Sequence, residues 1–165
     1  TVPVLNTQPL HMILRPYQSF FAGCTTGGKP MNNYPWLQDY LISKPGVERD
    51  YKLEWGWHRW LVGGKMFAAI CQPGPEHAVH AGREMVILKC DPRMAELFRA
   101  EYSDVVPGFY SDKRTWNTIY LDGTVPEQVL RDMCDMSYDL VFSKLTKKLQ
   151  RELKGIFVWK KSVII

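Results

Sequence analysis

No run of apolar residues in this 165-residue chain approaches the ~20 needed to cross a bilayer as a helix, so nothing here reads as a membrane span. Cysteine is scarce and scattered, at positions 24, 71, 90 and 134, with no CxxC pair. That removes the usual cysteine-based metal and redox motifs, and isolated reduced thiols of a cytosolic protein are the expectation. There is no internal repeat. Acid is absent from residues 1–30, which carry only Arg15 and Lys29 as charges and hold four of the 11 prolines. This stretch has no clear periodicity and is expected to be a flexible extension, with the folded domain beginning near Met31.

Three short motifs come close to a known chemistry and fail. Gly23-Cys24-Thr25-Thr26-Gly27-Gly28-Lys29 fits a phosphate-binding loop for seven positions. The eighth must be Ser or Thr to hold magnesium, and it is Pro30. Phe21-Ala22-Gly23-Cys24 looks like a lipoprotein cleavage box, but Arg15-Pro16 and Gln18-Ser19 break the apolar segment such a box requires. His77 and His80, even with Cys71 near them, fall short of the four ligands of a structural zinc site. No metal and no cofactor is expected.

What is present reads as one soluble domain, with 45% hydrophobic and 23% charged residues. Pro35 suits the first turn of a helix whose Trp36, Leu37, Tyr40 and Leu41 share a face, ended by Pro45-Gly46. The runs 57–62 and 65–71 are β-rich and joined by Gly63-Gly64, a hairpin signal. A loop over 72–83 precedes a strand over 85–90. Asp91-Pro92 supplies an N-cap and first residue for a helix reaching about Tyr102, with Met94, Leu97 and Phe98 on its apolar side. A loop over 105–114 leads to a strand over 115–121. Asp122-Gly123 stops that strand, Gly being free to take positive φ. Thr124-Val125-Pro126-Glu127 then has the form of a capping box, opening a helix from about 125 to 144. Thr146 can cap a last short helix that Gly155 terminates. The order α, several β, α, β, α, α predicts an α+β domain, a mostly antiparallel sheet flanked by helices.

Several of these segments also occur together in a known order. They are Pro45-Gly46-Val47-Glu48, Gly64-Lys65-Met66-Phe67-Ala68, the Leu88-Lys89 strand end before Asp91-Pro92, Pro107-Gly108, and Trp116 through Gly123. Over roughly residues 36–154 the chain resembles the MmcQ/YjbR family of small bacterial proteins. The resemblance implies a CyaY-like fold and a double-wing surface proposed to bind DNA. It supplies no catalytic residue, so a non-enzymatic protein is expected.

The charge map qualifies that implication. Residues 31–143 hold 12 basic and 16 acidic side chains, whereas residues 144–165 hold seven basic ones against Glu152 alone. A duplex-DNA partner therefore calls on Lys147, Lys148, Arg151 and Lys154 for affinity. Lys65 beside the glycine turn, and Lys113 and Arg114 with Tyr110 in the loop before Trp116, are the remaining candidates for contact. Trp116, Tyr120 and Asp122 read as core and turn residues. Two other readings stand beside the first. One is a protein-interaction or chaperone-like module. In it exposed aromatics contact another protein, and the basic and apolar tail 155–165, with Phe157, Val158, Trp159, Val163, Ile164 and Ile165, pairs as a strand or docks on a partner. The other is a small-molecule binder or enzyme with a pocket among Trp55, Trp57, Trp60 and Tyr120.

Overall fold

A computed structural model of the chain describes residues 32–162, with side chains through Gly155. The expected extension 1–30 and the start at Met31 lie outside the described residues, as do 163–165. Ten elements follow one another: α1 (Leu37–Ile42), β1 (Val47–Lys52), β2 (Trp57–Val62), β3 (Lys65–Cys71), β4 (Met85–Lys89), α2 (Pro92–Glu101), β5 (Val105–Pro107), β6 (Trp116–Tyr120), α3 (Glu127–Phe142) and α4 (Lys147–Ser162). The strands form one sheet in the order β1-β2-β3-β4-β6-β5, antiparallel at every pairing. The fold is α+β. No helix among the described residues is long and apolar enough to cross a membrane.

The central strands are apolar on both sides. Phe67 to Cys71 and Met85 to Leu88 are all buried, as expected of strands covered on two faces. One face carries the main core. Trp60, Val62, Phe67, Ile70, Val86, Leu88 and Ile119 meet Leu37 and Leu41 of α1, Leu130, Met133, Tyr138 and Val141 of α3, and Leu145 before α4. Ser137, fully buried on α3, ties that helix to the sheet. Its hydroxyl donates to the Phe67 carbonyl at 2.5 Å and accepts from the Lys89 N–H at 2.7 Å. The other face holds a second cluster of Trp57, Ala69, Cys71, Met85, Ile87 and Tyr120, with Met66, Val106, Phe109 and Trp116 packed on it. The elements above this face are loops, those linking β3 to β4 and β5 to β6.

Local expectations hold where the chain's own chemistry decides. The Gly63-Gly64 turn joins β2 and β3, with both glycines at positive φ. Asp91 caps α2, its side chain accepting from the Arg93 N–H at 3.0 Å. Tertiary contacts change four details. Thr124 does not close a capping box with Glu127. Pro126 occupies the N-cap, while the Thr124 N–H and hydroxyl both reach Asp104 Oδ2, at 2.9 and 3.3 Å. Gly123 is not at positive φ. It is needed because a Cβ there would lie 2.4 Å from the Asp104 carboxyl carbon. Leu97 is 60% exposed, and α2 instead seats Ala95, Phe98 and Tyr102. Finally, Gly155 does not end the last helix. α4 runs through it to Ser162, so the tail continues that helix rather than forming a strand. Leu145, Leu149 and Leu153 bind this segment to the core, and a helix so anchored absorbs the ~1 kcal/mol cost of one internal glycine.

Candidate functional site

The basic residues singled out by sequence fall into two groups. Lys147, Lys148, Arg151 and Lys154 are all exposed. The 147, 151 and 154 positions form one helical stripe about 10 Å long. Packing of Leu149 and Leu153 on the opposite side presents them outward. Lys148 is 4.0 Å from Glu152, and Lys154 lies over the Phe142 ring at 5.3 Å. Gly63 is pressed against Leu145 and Leu149, so closely that a Cβ would be 2.8 Å from Leu145. That contact brings the β2–β3 turn, with exposed Lys65 just after it, to the same corner of the molecule as the start of α4.

The second group is the β5–β6 loop. Lys113 and Arg114 are exposed there, and Arg99 donates through its guanidinium to the Lys113 carbonyl and to Asn117 Oδ1, the latter at 2.7 Å. Arg114 Nε stands 3.7 Å from Asp112. Between the groups sits a residue that sequence reasoning left out, Lys89 at the end of β4. Its Nζ lies 4.9 Å from the Trp116 ring centroid. Burial lowers its pKa, and Lys144 lowers it further while Asp112 opposes this. Lys89 is thus electrostatically in reach of both the loop and the end of α3. Its only signal in the sequence is a lone cation closing an apolar strand.

Tyr110 lies with Lys113 on the walls of one depression at the β5–β6 loop. It is 76% exposed and is the sole non-glycine residue at positive φ among those described, at 47°. This conformation is unusual for a bulky side chain. It places the ring 4.7 Å from that of Phe109 and 5.4 Å from that of His77. These residues belong to a cleft of about 710 Å³ on the loop-covered face, whose aromatic walls include Trp55, Trp57, Phe109 and Tyr110. The pocket suggested by Trp55, Trp57, Trp60 and Tyr120 is therefore half right. Trp60 is fully buried on the helical side of the sheet, and Tyr120 is buried in the cluster on the loop-covered face and does not line the cleft. Trp116 is half-buried on the loop-covered face rather than in the main core.

The two histidines serve this face as rings and hydrogen-bonding groups. His77 meets Phe109 and Tyr110 edge-on. His80 Nδ1 pairs with the Tyr120 hydroxyl at 2.7 Å. Burial lowers the His80 pKa, with His77 and Arg83 adding to the effect, and burial raises that of Tyr120. Arg83 stacks on Tyr120 with its guanidinium carbon 3.5 Å from the ring centroid, and its Nε donates to Asp122 at 2.9 Å. The described cysteines are poor nucleophiles. Burial pushes the Cys71 and Cys134 thiols up to about 12 and the Cys90 thiol to about 11.

Comparison with known proteins agrees with this architecture. The YjbR family model matches residues 42–140. The uncharacterized protein YjbR of Escherichia coli K12 is 31% identical over 117 residues, covering 71% of this chain and 93% of that protein. The uncharacterized protein YbdF of Escherichia coli O157:H7 is 28% identical over 93 residues, covering 56% and 70%. The crystal structure of a Deinococcus radiodurans protein with a DUF419 domain superposes with a TM-score of 0.62 at 27% identity, covering 76% of this chain and 91% of that one. A Pseudomonas syringae protein shares the fold at a TM-score of 0.57 and 19% identity, over 67% of this chain and 99% of its own. With its matching segments now seen to be the sheet and the helices that cover it, the chain belongs to the YjbR family.

Proposed function

We propose that this protein is a non-enzymatic binder of duplex DNA. One observation supports the reading: exposed basic side chains far apart in sequence meet at the corner where the β2–β3 turn packs on the start of α4. The helix carries Lys147, Lys148, Arg151 and Lys154, and Lys113 and Arg114 are exposed in the β5–β6 loop. Lys65 joins at the β2–β3 turn through the packing of Gly63 on Leu145 and Leu149. A phosphate backbone demands such a run of cations and little else, because affinity for duplex DNA is dominated by neutralised phosphates. In this reading the net acidic character of residues 31–143 keeps the rest of the surface off the duplex.

The test is a salt titration of full-length protein on a short duplex. Four phosphate contacts give a slope of log K against log salt of about −3.6. Replacing Lys147, Lys148, Arg151 and Lys154 by Gln flattens that slope, and replacing Lys113 and Arg114 by Glu weakens binding at every salt concentration. Absence of binding by the wild-type protein at about 50 mM salt, or binding indifferent to both sets of changes, sinks the proposal.

A further inference from the structure

The geometry points to a second binding site, in the cleft on the loop-covered face, for a small organic cation of the quaternary or tertiary ammonium type. Its walls are partly aromatic. Trp55 and Trp57 have centroids 5.6 Å apart at 70°, Phe109 stacks on Trp57 at 6.1 Å and 29°, and Tyr110 stands at 80° to Phe109 at 4.7 Å. Trp57 is buried behind the others, whereas Trp55 and Tyr110 are 53% and 76% exposed and leave aromatic surface for a guest, the kind of surface that attracts a methylated ammonium group. A volume of about 710 Å³ falls in the range of small-molecule sites.

Charge selects the guest. The charged residues lining the cleft are Glu54 and Glu76, and no lysine or arginine is among its described lining residues. Glu54 is 3.2 Å from Lys52, which does not line the cleft, and Glu76 is 3.5 Å from His77, which does. A nucleotide would set its phosphates against two carboxylates with no cation to receive them. Lys52 Nζ and the Arg59 guanidinium carbon lie 5.9 and 5.5 Å from the Trp55 centroid outside the cleft lining, so a cationic guest competes with them at that ring.

Tyr110 gives a separate reason. A bulky residue at φ 47° is held out of its preferred backbone region, and its ring is left 76% exposed. Strained backbone of this kind collects at ligand sites. The site is independent of the DNA reading, since none of the basic residues invoked there lines this cleft.

The experiment uses full-length protein, tryptophan fluorescence and calorimetry at low ionic strength. Three probes are compared: choline, its neutral carbon analogue 3,3-dimethylbutan-1-ol, and adenosine monophosphate. Choline is expected to saturate, with the neutral analogue about tenfold weaker. Trp55→Leu and Tyr110→Gly are each expected to weaken choline by roughly three- to tenfold. Trp55 is 53% exposed and glycine accepts positive φ, so both variants keep the fold, checked by unchanged cooperative unfolding. Glu76→Gln is expected to weaken choline and leave the neutral analogue unchanged. The variant with Lys147, Lys148, Arg151 and Lys154 changed to Gln is expected to bind choline normally. Equal affinity for the neutral analogue, preference for adenosine monophosphate, no saturation by choline, or indifference to both aromatic substitutions would each overturn the assignment.

Discussion

Replacing Arg83 by Met tests whether the turn after β6 is held by a charge clamp. Arg83 Nε donates to both Asp122 oxygens, at 2.9 and 3.1 Å, and its NH2 group donates to Asp122 Oδ1 at 2.5 Å. The same group is 3.7 Å from Asp104, and the guanidinium covers Tyr120. One residue of the β3–β4 loop thus joins the end of β6, the approach to β5 and the floor of the loop-covered face. Hydrogen bonds to charged groups contribute about 1.5–3 kcal/mol net, and a cation over an aromatic ring about 1 kcal/mol more. The Arg83 side chain is 34% exposed, so solvent screening reduces the sum. A loss of about 2–3 kcal/mol remains, or roughly 10 °C in Tm for a domain of this size. Arg83→Lys keeps the charge but loses the fork, and is expected to recover less than half of that loss.

The pH dependence has a definite sign. Arg83's hydrogen bond holds the Asp122 carboxyl below its usual 3.8. A depressed carboxyl contributes stability that is fully present above the unfolded value and is lost as pH falls through the folded one. Urea denaturation of wild type and Arg83→Met should therefore differ by a constant amount from pH 7 to about 4 and converge below it. A gap under about 0.5 kcal/mol at pH 7 would place Arg83 among ordinary surface ion pairs and refute the clamp. A gap that persists undiminished at about pH 2 would show that packing on Tyr120, not charge, carries it.

Two further substitutions test the rest of the framework. Ser137→Ala orphans the Phe67 carbonyl and the Lys89 N–H contact beneath α3, and is expected to cost about 2–4 kcal/mol in chemical denaturation; a cost below 1 kcal/mol would show that these groups find other partners. Trp60→Ala empties the centre of the main core and is expected to cost about 3–5 kcal/mol, whereas Trp116→Ala, half-buried under Lys89, is expected to cost clearly less; the reverse order would mean the two faces of the sheet have been misjudged.

What the sequence made legible was local. Gly63-Gly64 announces its hairpin because only glycine takes both positive φ angles without strain, and Asp91-Pro92 announces α2 because cap and first turn are adjacent in the chain. β1 went unread because its Glu48, Arg49, Asp50 and Tyr51 are exposed on an edge strand, where charge guards against pairing with other chains rather than marking a buried face. β5 went unread because three residues ending in a proline resemble a loop, and a proline is tolerated there only because β5 is the other edge. The capping box at Thr124 is a valid local signal that Asp104, twenty residues away, overrides. The basic candidates were legible as charge, but not the adjacency of Lys65 to α4, which depends on Gly63 touching Leu145. The cleft was least legible of all. Trp55 and Trp57 meet Phe109 and Tyr110 across more than fifty residues, and no short motif records that approach.

The cleft nonetheless follows from something the sequence does show, the two-sided apolar character of β3 and β4. A sheet with helices on one face ordinarily alternates and turns polar residues to the other. Here Ala69, Cys71, Met85 and Ile87 make the second face apolar too, so it must be covered. The β3–β4 loop does so at one point, where His80 meets the Tyr120 hydroxyl. The β5–β6 loop does so at another, where the Phe109 N–H donates to Thr118 Oγ1 at 2.8 Å and the Gly108 N–H to the Trp116 carbonyl at 2.9 Å. Each loop is pinned over β6, the strand that carries those partners. Over β2 the cover is aromatic instead, with Trp55 from the β1–β2 turn edge-on to Trp57 and Phe109 stacked on it. The space between the pinned loops and that turn is the cleft. Of its aromatic walls, Trp57 is buried by the chain itself, and Trp55 and Tyr110, from the β1–β2 turn and the β5–β6 loop, are the two left exposed.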